Sequence, residues 1–60
     1  MRLYVDTMDL VVVEFSVDGQ VRFENGEWVS PTVQERRAII HAAQTELESL
    51  RELLELLDAQ

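Results

Sequence analysis

The side chains that could support covalent or metal chemistry are few in this chain. His41 is the single histidine, and the chain contains neither cysteine nor lysine. This composition excludes Cys/His nucleophilic pairs, thiolate metal sites and Schiff-base chemistry. A Ser/His/Asp triad is not indicated either, because Ser49 lies eight residues beyond His41 on the same predicted helix and is out of its reach. We therefore predict that the protein is not an enzyme, and we expect no catalytic residue, metal ligand or cofactor.

Two charged clusters are candidates for binding a partner. Glu48, Glu52 and Glu55 follow one another at spacings of four and three, which places their carboxylates along one side of a helix, here called the acidic ridge. Such a ridge could meet a basic partner, bind a divalent cation weakly or simply be solvated. Arg36 and Arg37 form an adjacent basic pair near the helix start, where the helix dipole disfavours positive charge. We treat both clusters as candidate partner-binding residues.

The charge balance and the length restrict the class of protein. The chain has 60 residues, with 12 acidic against 5 basic side chains, a net charge of −7 and 47% hydrophobic residues. These values are typical of a globular chain and not of a disordered one. No apolar run is long enough to cross a membrane and no signal peptide opens the chain, so we expect a cytoplasmic protein with no membrane contact. A core this small rarely contributes more than about 3–5 kcal/mol, so we expect oligomerisation to add stability.

The composition changes character once, near Ser30 and Pro31. Before this point lie β-branched and aromatic residues separated by Asp-Gly and Asn-Gly pairs, and after it no glycine and no further proline occurs. The pattern predicts one α+β domain over residues 1–60, with a four-stranded antiparallel β-meander in 1–30 and one amphipathic helix in 31–59. The predicted order of elements is ββββα, with the helix on one face of the sheet.

Three turns set the predicted register of the meander. The first is a loop at 7–9, whose geometry no glycine fixes. The second is a three-residue loop at 17–19 with Gly19 in the left-handed conformation, and the third is a two-residue type I′ turn at 25–26. Directly opposed residues share a face, so each register is the one that matches apolar with apolar residues. The predicted cross-strand pairs are Leu3–Val13, Val5–Val11, Arg2–Glu14, Val13–Phe23, Glu14–Arg22, Phe15–Val21 and Phe23–Trp28.

These pairs predict two different faces for the sheet. The face under the helix is apolar, with Trp28 as its largest member, and the outer face carries a charged row of Arg2, Glu14 and Arg22 beside a semi-apolar patch. Four apolar residues on one small face could form an interface, and Tyr4 is the candidate partner-binding residue among them. The predicted core residues are Leu3, Val5, Val11, Val13, Phe15, Val21, Phe23 and Trp28. The predicted outer apolar residues are Tyr4, Leu10, Val12 and Val29.

The predicted helix is too long for the sheet that it covers. It begins either with Ser30 as cap and Pro31 in the first turn, or with a capping box of Thr32 and Glu35. From 31 to 58 it spans about 40 Å, against about 20 Å for a six-residue strand, so its second half overhangs the sheet. The predicted apolar stripe contains Val33, Ile40, Ala43, Leu47, Leu50, Leu54 and Leu57, widened by Ile39, Leu53 and Leu56.

The overhanging leucines predict self-association. Burying each leucine contributes about 1.5–3 kcal/mol, so leaving six of them in water would forfeit more than the stability of the fold. An identical chain related by a two-fold axis is the simplest cover. Antiparallel packing is favoured because parallel helices would bring their acidic ends together, and the outer sheet face could join two dimers into a tetramer. The predicted oligomer interface consists of Leu47, Leu50, Leu53, Leu54 and Leu57.

Three classes of function remain open. The first is a homo-oligomeric protein-binding module of the inhibitor, antitoxin or anti-defence type, such as a phage or mobile element carries, which occupies a basic surface of a macromolecular target. The second is a nucleic-acid-binding regulator, because a four-stranded meander followed by one dimerising helix resembles the single-strand DNA binders of the positive-cofactor-4 type. The third is an oligomer that sequesters a small phosphorylated ligand, with Arg36 and Arg37 as clamps.

Overall fold

The computed structural model describes residues 1–59 and shows one sheet covered on one face by one helix. Gln60, the last residue of the predicted domain, lies outside the described residues. The antiparallel strands follow in the order β1-β2-β3-β4, which confirms the predicted ββββα architecture. The elements are β1 (Leu3–Val5), a 3-10 turn (Asp6–Met8), β2 (Leu10–Phe15), β3 (Val21–Phe23), β4 (Trp28–Val29) and α1 (Val33–Asp58).

The first turn differs from the predicted loop and changes the register of β1. The chain forms a 3-10 turn, and Asp9 ends it in the left-handed conformation at φ 51°. An aspartate tolerates this conformation better than most residues, so no glycine is needed. Leu3 therefore lies opposite Val12, and Val5 lies opposite Leu10. The predicted pairs Leu3–Val13, Val5–Val11 and Arg2–Glu14 are wrong.

The second turn has the predicted geometry. Gly19 has φ 89°, and the amide of Ser16 donates to the carbonyl of Gln20 at 2.9 Å, which closes a three-residue loop. The predicted pairs Phe15–Val21 and Glu14–Arg22 are confirmed.

A β-bulge in β2 then separates this register from that of β1. The register shifts between Val12 and Glu14, so that Phe23 lies opposite Val12 and not opposite Val13 as predicted. Because one residue is inserted, Val12 and Phe15 can share the face under the helix although they are three positions apart. The buried valine of β2 is consequently Val12, at 1% exposure.

The third turn is one residue longer than predicted, which moves Trp28 to the other face. Arg22 lies opposite Trp28 and Val21 lies opposite Val29. Gly26 does not adopt positive φ, so the predicted type I′ turn and the pair Phe23–Trp28 are wrong. Trp28 lies on the outer face and is 43% exposed.

The core is smaller than predicted and comes from the strands. Four side chains are buried, namely Leu3, Val5, Val12 and Val21. Packed against them are Met8, Phe23, Ala38, Ile39 and Ala42. Of the other predicted core residues, Val11 and Val13 are half-buried, and Phe15 and Trp28 are exposed. The outer face also differs from the prediction, since Leu10, Val12 and Val29 lie on the helix side by their pairing.

The helix begins with a capping box. The amide of Glu35 donates to Oγ1 of Thr32 at 3.2 Å, and the amide of Thr32 donates to a carboxylate oxygen of Glu35 at 2.8 Å. Two amides that the first turn would leave unpaired are thereby satisfied. Of the two predicted starts, the structure has the one at Thr32, and Pro31 precedes the helix.

The two glycines provide a matched test of the turn geometry. Gly19→Val should destabilise the fold by about 1–3 kcal/mol, because a β-branched residue is strained at positive φ. Gly26→Val should cost less, because its φ is ordinary and an added Cβ would meet only the Cβ of Phe23 at 4.0 Å. Denaturant unfolding of both variants measures the difference, and equal losses would contradict the assigned turns.

The corrected facing of Trp28 gives a second test. Leu3→Ala should cost about 2–5 kcal/mol, because it opens a cavity among the four buried side chains. Trp28→Ala should cost less than Leu3→Ala although it removes more atoms, because the indole lies on the outer face. A larger loss for Trp28→Ala in thermal unfolding would restore the original core assignment.

Candidate functional site

The second half of α1 has no cover within its own chain. The helix packs on β1 and on the 3-10 turn, and Ala38, Ile39 and Ala42 are its residues packed against the core. From Ala43 to Ala59 every residue is exposed. The predicted stripe members nearer the helix start are exposed as well, Val33 at 64% and Ile40 at 48%.

The six leucines of this half are all exposed. Their exposed fractions are Leu47 56%, Leu50 49%, Leu53 49%, Leu54 65%, Leu56 64% and Leu57 58%. All five residues of the predicted oligomer interface therefore lie on the surface. The grouping of these exposed apolar side chains on one segment makes this half of the helix the candidate interface of the chain.

The acidic ridge lies on the same half of the helix, on its other side. At 100° per residue, Glu48, Glu52 and Glu55 fall within one sector of the helix, roughly 130° around the axis from the leucine stripe. All three are exposed. Among residues 1–59 the salt bridges are Arg2–Glu24 and Arg22–Glu14, so none engages the ridge. No group of His, Cys, Asp or Glu in this range is arranged to hold a metal ion.

The two arginines of the predicted basic pair lie on different sides of the helix start. Arg36 and Arg37 point in directions about 100° apart around the helix. Arg37 lines a groove between α1 and the 3-10 turn, whereas Arg36 does not. His41, one turn beyond Arg37, lines the same groove and is exposed.

Sequence reasoning missed this groove. It is an open depression of about 730 Å³, and Met8, Ala38 and Ala42 provide its apolar part. The available signal is the spacing of Ala38 and Ala42, two small residues one turn apart on the buried side of the helix. These two alanines border a groove only because the 3-10 turn after β1 lies beside them. The pattern of residues does not reveal that proximity. The polar lining residues are Tyr4, Asp6, Thr7, Gln34, Glu35, Arg37, His41, Thr45 and Glu46.

The outer face of the sheet holds two exposed aromatic side chains. Tyr4 lies on β1 at one edge and Trp28 lies on β4 at the other. Between them Nε of Arg22 donates to a carboxylate oxygen of Glu14 at 2.5 Å, which confirms one half of the predicted charged row. Arg2 contacts Glu24 at 2.8 Å and is not part of that row.

Tyr4 is held by the left-handed residue of the first turn. Its hydroxyl donates to Oδ1 of Asp9 at 2.7 Å. This hydrogen bond, followed by repulsion between the Asp9 carboxylate and a phenolate, raises the pKa of Tyr4 above its usual value. Slight desolvation and the charge of Asp6 act in the same direction. Tyr4 therefore presents a neutral hydroxyl with its proton committed to Asp9.

Comparison with known proteins gives no relative. No protein-family description, curated protein or solved structure matches this chain. Within residues 1–59, α1 is too charged along its length to qualify as a membrane-crossing segment.

The Tyr4–Asp9 contact can be tested by titration, because Tyr4 is the single tyrosine of the chain. Since the folded-state pKa is raised, the contact stabilises the fold fully below about pH 10 and is lost as the pH rises through the folded pKa. Ultraviolet absorbance should show Tyr4 ionising at higher pH in the native protein than in Asp9→Asn, which keeps the shape but removes the charge. Identical titration curves would contradict the contact.

Proposed function

We propose that this protein is a small, acidic, non-enzymatic module that self-associates and binds a basic surface of a macromolecular target in the cytoplasm, as an inhibitor, antitoxin or anti-defence protein of a phage or mobile element does. The observation that carries the proposal is the second half of α1, which is exposed from Ala43 to Ala59 with leucines on one side and the acidic ridge on the other. One side suits self-association, and the other leaves carboxylates free for a partner.

The charge of the chain supports a basic target. A net charge of −7 on 60 residues attracts a positively charged surface from a distance and accelerates association. The ridge carboxylates have no salt bridge within residues 1–59, so binding would not first have to break one. This is the arrangement expected of a protein that covers a cationic surface.

Target binding is tested with two variants of equal net charge. Glu48→Gln/Glu55→Gln removes two ridge carboxylates, and Glu24→Gln/Glu27→Gln removes two exposed carboxylates of the β3–β4 turn. Affinity capture from the native host, followed by titration of the captured protein, should give at least a tenfold weaker Kd for the ridge variant and little change for the control. Binding should also weaken with added salt.

The result separates local recognition from general charge. Equal weakening of both variants would mean that net charge alone drives binding, and unchanged binding by both would remove the ridge from the site. Failure to capture any saturable partner under native conditions would count against the proposed function itself.

A nucleic-acid-binding regulator is the second candidate, and the position of Trp28 favours it. Tyr4 and Trp28 are exposed on the outer face, and bases stack on such side chains in single-strand binders. The opposing feature is charge, since Arg22 and Arg2 both contact glutamates there. A salt-dependent quench of Trp28 fluorescence by single-stranded DNA would support this candidate.

The phosphorylated-ligand alternative is less well supported, because Arg37 lines the groove and Arg36 does not. A ligand of this class would have to rely on Arg37 and His41 in the groove, beside the carboxylates of Asp6, Glu35 and Glu46. A change in melting temperature with a nucleotide panel would return this alternative to consideration.

A further inference from the structure

The chain exposes more surface than a self-contained domain of its mass. Its accessible surface is 5043 Å², whereas a folded monomer of 6.9 kDa has about 4,000 Å². Its radius of gyration is 13.4 Å, whereas a compact domain of 60 residues has about 10 Å. Both differences have one source, the projecting half of α1, which stretches the molecule to 42 Å along its longest axis.

The size of the excess accessible surface indicates what kind of partner covers it. About 1,000 Å² per chain is close to the roughly 800 Å² that each partner contributes to a stable protein–protein interface. The projecting half of α1 provides this surface, and a second helix with the same apolar stripe can cover its apolar side. An identical chain meets this requirement with a closed two-fold interface.

We propose that a second copy of this chain packs its α1 antiparallel against the first, with the two-fold axis passing near residue 45. This deepens the self-association contained in the proposed function and rests on it. Six of the seven stripe positions are symmetric about that point, the exception being Leu54. The pairs Val33 with the partner's Leu57, Ile40 with the partner's Leu50, and Ala43 with the partner's Leu47 each place an apolar residue opposite an apolar residue.

Charge selects the same orientation. The segment from Glu46 to Asp58 holds five carboxylates and one arginine, Arg51, so two parallel copies would align like charges along their length. In the antiparallel arrangement Arg36 lies opposite the partner's Leu54, within one helical turn of the partner's Asp58. The basic residue that the helix dipole disfavours at this end thereby gains an acidic neighbour.

The arrangement also sets the positions of the two acidic ridges. Each ridge lies on the side of its helix away from the stripe, so both remain exposed in the dimer. They emerge at opposite ends of the pair, related by the two-fold axis, which makes the dimer bivalent toward a basic surface. Two linked contacts of this kind bind far more tightly than one when the target presents both sites.

The orientation is measured with a spin label at Ala59→Cys, which gives a single thiol because the chain has no cysteine. Light scattering should give the mass of two 6.9 kDa chains. Residue 59 lies 14 positions from the axis, so the two labels should be about 40 Å apart at 1.5 Å per residue. Parallel helices, with axes about 10 Å apart, would place the two labels side by side at a distance far below about 40 Å.

The outcomes separate this inference from the proposed function. A short label distance at dimer mass would overturn the antiparallel arrangement while leaving self-association in place, and a monomeric mass would overturn both. As a check on the stripe, Leu47→Glu should abolish the dimer, whereas Thr45→Glu, which adds the same charge on the other side of the helix, should keep it. Because Leu47→Glu could also unfold the chain, the label distance in the otherwise unchanged protein decides the orientation.

Discussion

The mismatch in length between α1 and the sheet governs the rest of this structure. A helix of 26 residues rests on strands of two to six residues, so only its first half finds a surface to pack on. The chain cannot shorten the helix, because a capping box fixes its start and no glycine or proline interrupts the leucine-rich half. The exposed leucines, the small core and the elongated shape all follow from this one constraint.

The core contains few side chains. Four buried residues come from strands, and the helix adds two alanines and one isoleucine. Small residues at the contact let the helix approach the sheet closely, which limits the volume that must be filled. A core of this size contributes little stability by itself, which is consistent with the proposed self-association through the projecting half of α1.

The sequence predicted the positions of the strands and the helix better than the face of the sheet on which each strand residue lies. The change of composition at Ser30 located the strands and the helix, and Gly19 fixed one loop, because only a few backbone conformations fit it. The faces of β4 and of the first half of β2 were predicted wrongly because side-chain direction reverses with each residue, and the longer third turn and the bulge in β2 each shifted the count by one residue. Glycine did not reveal the altered turns either, because in the first turn Asp9 takes the left-handed position and in the third turn Gly26 does not adopt positive φ.

The candidate site also contains some features that the sequence predicts and others that it does not. The exposed leucines and the acidic ridge were predictable, because both are periodic patterns within one helix and need no knowledge of register. The groove beside Arg37 and the outward position of Trp28 were not predictable, because each depends on how separate segments meet. The spacing of residues along the sequence predicts which residues share one side of a helix. Contacts between separate elements depend on turn lengths, which a short sequence specifies weakly.

A four-residue core also bears on how the cell would set the amount of active protein. When part of a fold is stabilised by a second copy, its stability rises with its own concentration. A chain made in small quantity would spend more time open and be degraded sooner, and abundant synthesis would protect the pool. Under the proposed self-association, the folded fraction of this chain would therefore rise with its expression level.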